Sequence, residues 1–209
     1  MPQRVVVVEH AVLADRLTVL RSARTPHPEF RQALYEASAI LAVEAARDLP
    51  LTEVEIDTPL EATTGHRLPT EITVVPVLRA GLGMVEGFLR LLPNARVGHL
   101  GVQRDEADAT PHDYYERLPA GLPDAYVFLL DPMLATGGSA VYALDRLKQA
   151  GATRLTVVCL VCAPEGLAAL QAAHADVAVY TAAIDRELDA SFYIRPGLGD
   201  AGDRVFGTL

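Results

Sequence analysis

The stretch best equipped for chemistry in this chain is an acid followed by a small-residue loop: Asp131, then Thr136, Gly137, Gly138 and Ser139. Glycines let a ligand approach the main chain, while successive N–H groups and the positive end of a following helix favour an anion. A carboxylate accepts from sugar hydroxyls, and hydroxyl side chains donate to phosphate oxygens. A ribose 5-phosphate would engage all of these groups. An ordinary strand-to-helix turn with glycines for tight packing has the same outline, and the acid with two hydroxyls favours the ligand.

A second such turn carries Arg79 ahead of Gly81 and Gly83. From a strand end, a guanidinium can clamp a phosphate or pyrophosphate through two parallel hydrogen bonds. A surface ion pair is the plain alternative for a lone arginine, and the second phosphate-type turn favours the clamp. With Gly87 the spacing is one residue too long for a dinucleotide fingerprint, which is excluded. Near the C-terminus, Gly197, Gly199 and Gly202 would let main-chain groups face a flat polar ring. A terminal loop packed by Phe206 is the alternative, and the glycines argue against a helix interior there.

These residues need elements to hold them. Residues 127–130 are an uninterrupted apolar run suited to a buried strand, and Val141, Leu144 and Leu147 have helical spacing behind the loop. Residues 72–78 predict a second strand, with a helix through Leu92. Further strands are expected at 5–8, 95–103, 154–162 and 177–184, and helices at 11–23, 29–48 and 164–173. Residues 51–69 read as two short strands or an extended excursion. Residues 104–123, polar and rich in proline, read as a candidate lid that excludes water. The alternation predicts an α/β fold, a mostly parallel sheet flanked by helices, in one domain spanning 1–209.

Composition removes other classes. The chain of 209 residues is 50% hydrophobic with a net charge of −9, which fits a packed protein and disfavours a nucleic-acid-coating surface. No apolar run reaches bilayer-spanning length and the first ten residues lack a secretory pattern, so a cytoplasmic protein without membrane contact is expected. Its basic residues are seventeen arginines and Lys148. The glycine loop thus has no lysine for a P-loop, and Lys148 falls within the following helix, away from Schiff-base chemistry. Cys159 and Cys162 form a C-x-x-C. Residues three apart on a strand point to opposite faces, no second pair completes a zinc set, and buried thiols are expected. No side chains are assigned to a metal.

The blocks VLRAGLGM, DPMLATGGS, APEG and YIRPGLGDAGDRVFGT, in this order, resemble the uracil phosphoribosyltransferases of the type I phosphoribosyltransferase family, over essentially the whole chain. The resemblance implies a phosphoribosyltransferase fold with a small base-binding hood near the C-terminus. It implies conversion of uracil and phosphoribosyl pyrophosphate to uridine monophosphate and pyrophosphate, with Mg2+ arriving bound to that substrate. By family pattern Arg79 and Arg104 hold the pyrophosphate. Asp131, Pro132, Met133, Leu134, Ala135, Thr136, Gly137, Gly138 and Ser139 hold the ribose and its phosphate. Tyr193, Ile194, Gly199, Asp200 and Ala201 line the uracil site, with Asp200 also near the phosphoribosyl substrate. Arg79, Arg104, Asp131 and Asp200 are the expected catalytic set. GTP is implied as an effector and a homodimer or higher homo-oligomer as the assembly. Arg195 stands where the pattern is apolar. A non-catalytic nucleotide-binding regulator on the same fold is the rival reading, disfavoured by the acidic charge.

Overall fold

A computed structural model describes residues 4–104 and 111–208. The chain opens with β1 (Val5–Val7), α1 (Ala11–Arg21) and α2 (His27–Ala45), followed by a hairpin of β2 (Thr52–Asp57) and β3 (Ala62–Arg67). Next come β4 (Ile72–Leu78), α3 (Leu82–Leu91), β5 (Arg96–Val97), β6 (His99–Arg104) and β7 (Pro111–Arg117). The second half holds β8 (Tyr126–Leu130), β9 (Met133–Leu134), α4 (Gly138–Gln149), β10 (Arg154–Cys162), α5 (Pro164–Ala173) and β11 (Ala178–Ile184). A small hairpin of β12 (Glu187–Leu188) and β13 (Ile194–Arg195) and the helix α6 (Ala201–Phe206) close it.

The central sheet runs in the order β1-β11-β10-β8-β4-β6-β7, with β5 beside β4 and β9 beside β10. Every described pairing in it is parallel except β6 with β7. Strands covered on both faces must be apolar on both, and β4 is buried from Ile72 to Val77. Alternation assigns the faces. Val74, Phe128, Val158 and Tyr180 join a cluster with α1, α2, α3 and α6, whereas Val75, Leu129, Val157 and Val179 pack with α4 and α5. This is the expected α/β architecture, helices on both faces of a mostly parallel sheet.

Three local expectations change. Part of the segment read as a lid is a strand: β7 pairs antiparallel with β6, and the Tyr114 ring covers Gly101, where an added Cβ would lie 2.7 Å from Cζ. Residues 105–110 lie outside the described residues. The glycine-rich C-terminus contains a helix, α6, because the Asp200 carboxylate accepts from the Asp203 N–H at 2.9 Å and caps it. Both cysteines are buried as expected but face the same cluster, with α4 and α5. Inward parity switches between Leu160 and Val161, whose N–H groups both donate to the Pro132 carbonyl, at 3.0 and 3.2 Å. The two thiols therefore meet: hydrogen bonding to Cys162 and burial push the Cys159 thiol up, and the same bond draws Cys162 down.

Gly87, the third glycine of the near-fingerprint, has a packing role. A Cβ there would lie 2.7 Å from the Tyr35 carbonyl, so glycine lets α3 cross α2 at close range.

Candidate active site

Parallel strands deliver their C-terminal ends to one edge of a sheet, where α/β proteins place ligands. Here β6, β4 and β8 are consecutive neighbours, so Arg104, Arg79 and Asp131 emerge from adjacent strand ends. The Arg104 side chain lies outside the described residues. Gly81 shows how close the middle two turns come: a Cβ on it would lie 2.3 Å from the Leu130 carbonyl, one residue before Asp131. The Leu78–Arg79 peptide is cis.

The loop after β8 forms a small concavity lined by Asp131, Met133, Ala135, Thr136, Gly137 and Ser139, among others. The Asp131 carboxylate accepts from the Met133 N–H at 3.3 Å, and the Thr136 hydroxyl accepts from the Gly138 N–H at 3.4 Å. Gly137 caps α4 at φ 84°, a left-handed conformation that costs a residue with a Cβ about 1–2 kcal/mol. The first N–H groups of α4 have no acceptor within the helix, the usual setting for an oxyanion. Pro132 and Leu134 differ from their neighbours. Both are buried, the Pro132 carbonyl accepts from β10 and the Leu134 carbonyl from the Ala163 N–H at 3.0 Å, so they shape the loop from within. Gly166, the glycine of the APEG block, explains that block physically. A Cβ there would lie 2.4 Å from the Ala135 carbonyl and 2.7 Å from that of Leu134, so α5 presses directly on the loop.

The hood is the β12–β13 hairpin with the turn that follows. Asp189 organises its tip, accepting from the Ser191 N–H at 2.9 Å, the Tyr193 N–H at 3.0 Å and Arg195 Nε at 2.7 Å. Chiefly through the Tyr193 N–H, with Arg195 next, these bonds hold the Asp189 carboxyl below its ordinary value. Arg195 is thus turned to Asp189. Ile194 is 3% exposed and belongs to the core, whereas Tyr193 is half exposed. The Arg195–Pro196 peptide is cis. Gly199 and Asp200 are exposed and Ala201 is buried at the start of α6.

Two arginines tie this turn to α1, and neither was identified from sequence. Arg21 reaches the buried Asp185 carboxylate and the Gly197 carbonyl at 2.8 Å, while the Gly197 N–H donates to Asp185 at 2.9 Å. Arg204, on α6, donates to the Leu198, Leu20 and Ser22 carbonyls with its guanidinium 4.3 Å from the Phe30 ring centre. Burial lowers its pKa. The signal for Asp185 was its place at the end of β11, the position Asp131 holds after β8.

The hood also touches the pyrophosphate-type turn. Arg79 Nη2 donates to Asp203 Oδ1 at 3.1 Å, and the same Oδ1 accepts from the Thr208 hydroxyl at 2.6 Å. Thr208 and then Arg79 hold the Asp203 carboxyl below its ordinary value. The structure therefore brings Arg79, Asp131, the 133–139 loop and residues 194–203 to one end of the sheet.

The chain is similar to known proteins along nearly its whole length. The model of the family described as uracil phosphoribosyltransferase matches residues 7–208. A uracil phosphoribosyltransferase of Salinibacter ruber is 56% identical over 206 residues, covering 99% of this chain and 98% of its own. One from Lactococcus lactis is 51% identical over 205 residues, covering 97% of each. Among solved structures, the AQ2163 protein of Aquifex aeolicus superposes with a TM-score of 0.92 at 37% identity over 97% of both chains. A hypoxanthine-guanine phosphoribosyltransferase of Bacillus anthracis, 16% identical, shares the fold at a TM-score of 0.53, covering 76% of this chain and 80% of that one. Matched along nearly its whole length by family model and close relatives alike, the chain belongs to the uracil phosphoribosyltransferase family.

Proposed function

We propose that the protein, acting as one domain, transfers the 5-phosphoribosyl group of phosphoribosyl pyrophosphate to N1 of uracil, giving uridine monophosphate and pyrophosphate. The observation that carries this reading is the convergence of three sequence blocks at one sheet edge, with Arg79 of the first ion-paired to Asp203 of the last. Asp131 accepts from the ribose hydroxyls, and the first turn of α4 with Thr136 and Ser139 holds the 5-phosphate. Met133 and Ala135 line that cradle, which Pro132 and Leu134 support. Arg79 and Arg104 take the pyrophosphate, and Asp200 sits between sugar and base.

Uracil presents acceptor, donor and acceptor along one edge, matched by main-chain groups around Ile194, Gly199 and Ala201 beside Tyr193. Cytosine would leave a buried polar group unpaired, at about 1–3 kcal/mol. The reaction is a displacement at the anomeric carbon: the bond to pyrophosphate breaks, positive charge builds on the ring, and uracil N1 attacks from the opposite face. Orientation and stabilisation of the departing charge supply the acceleration, without a covalent nucleophile.

Among the described residues no group of three His, Cys, Asp or Glu side chains could hold a metal ion. Mg2+ typically keeps one or two carboxylates and completes its shell with substrate phosphates and water. The ion would arrive with the phosphoribosyl substrate and, when bound, would offset charge on the leaving group. No helix among the described residues is long and apolar enough to cross a membrane, and the free thiols fit a reducing, cytoplasmic setting. The family resemblance extends the reading to a homo-oligomer stimulated by GTP. Pure protein, magnesium and phosphoribosyl pyrophosphate mixed with each base, with and without GTP, test the reaction and effector. Light scattering tests the assembly.

A further inference from the structure

Arg79 stands at the turn after β4 with its side chain 56% exposed, so its long stem is not held by packing. A flexible guanidinium loses much rotamer freedom when it closes on a ligand, unless a partner already fixes its plane. That partner is Asp203. One carboxylate oxygen takes Arg79 Nη2 at 3.1 Å and the Thr208 hydroxyl at 2.6 Å, and the Asp203 N–H is itself bonded to Asp200 at 2.9 Å. Between them lies Gly202, where a Cβ would be 3.3 Å from Asp200 Oδ1 and 3.8 Å from Arg79 Nη2. The cation of the leaving-group turn and the acid of the base-side turn are thus joined through two bonds and a glycine. Asp203 occupies one nitrogen of the guanidinium, and among the described residues no other carboxylate pairs with it. The remaining edge of the planar fork is left for a phosphate.

We propose that Asp203 is the positioning residue for Arg79, fixing the guanidinium so that its other edge meets the pyrophosphate of the phosphoribosyl substrate. This rests on the reaction proposed above. Asp203 touches no reacting atom; it acts through Arg79, and Thr208 acts through Asp203. Exposed ion pairs contribute little to folding, so the effect belongs to catalysis rather than to stability.

The test is a double-mutant cycle on initial rates, with each substrate varied, for Asp203→Asn, Arg79→Gln and the double variant, and with Thr208→Val as a second, milder perturbation. Asp203→Asn should lower kcat/KM for phosphoribosyl pyrophosphate about tenfold, as expected for a misplaced catalytic group, with little change in the KM for uracil. Thr208→Val should shift the same parameter in the same direction. In the Arg79→Gln background Asp203→Asn should add no further loss, because the group it positions is gone. Independent, multiplying losses in the double variant, or a change confined to the KM for uracil, overturn the proposal while leaving the reaction in place. A wild-type protein that forms no uridine monophosphate overturns both together.

Discussion

Arg21, the last residue of α1, and Asp185, the first residue beyond β11, form a two-pronged ion pair, Nη1 to Oδ2 at 2.8 Å and Nη2 to Oδ1 at 2.5 Å, between positions 164 apart in the chain. The carboxylate side chain is 4% exposed and also accepts from the Gly197 N–H, so this pair sets where the hood turn begins. Removing Asp185 takes the shared acceptor from the buried Gly197 N–H and from the Arg21 guanidinium, whose side chain is 24% exposed. We expect Asp185→Ala to lose about 3 kcal/mol in urea unfolding and, where it folds, to raise the KM for uracil more than that for phosphoribosyl pyrophosphate. Equal changes in both constants would count against a role for this pair in placing the base turn.

Gly166→Ala tests the contact between α5 and the phosphate loop. The added methyl would start 2.4 Å from the Ala135 carbonyl, and overpacking of this kind costs about 1–3 kcal/mol. The loop should shift, raising the KM for phosphoribosyl pyrophosphate while leaving that for uracil nearly unchanged in steady-state assays.

Acid should act on the hood through Asp189. Its folded pKa lies below the unfolded value of about 3.9, so its stabilisation is complete above that value and is lost as pH falls through it toward the folded pKa. Urea midpoints followed downward from about pH 5 should therefore fall further for the wild type than for Asp189→Asn, which has no such proton to gain. Parallel profiles would show that these bonds do not persist in solution.

The two thiols should be inert in the native protein. Both side chains are fully buried, and Cys159 is held protonated by its bond with Cys162 and by desolvation. A disulfide reagent should label neither cysteine until denaturant is added, and then both.

Strong local patterns made much of this fold legible in the sequence. The buried runs of β10 and α5 were recognisable to the residue, because Pro164 starts a helix where an apolar strand stops. β7 was obscured by its place at the sheet edge, where Pro111 and exposed polar residues do not alternate as a half-buried strand would. The glycines at 199 and 202 hid α6, whose cap depends on one carboxylate geometry at Asp200. The facing of Cys159 and Cys162 depended on a parity switch at Leu160 and Val161 that no alternation rule contains. Within the site, the glycine loop and Arg79 could be read from spacing, since their chemistry is local. Asp203 with Arg79, 124 positions apart, and Arg204 with Leu20, 184 apart, could not, because only the folded chain brings them together.

In the proposed site, Arg79, Asp131 and the 194–203 turn together join uracil to a phosphoribosyl group. The most direct measurement follows nucleotide formation from phosphoribosyl pyrophosphate, magnesium and a panel of bases, by the wild type and by folded Arg79→Ala. Uridine monophosphate is expected from uracil, with little or no product from cytosine or purines and a loss of about a hundredfold or more in Arg79→Ala. Preference for another base, or normal turnover by the Arg79→Ala protein, would contradict this assignment.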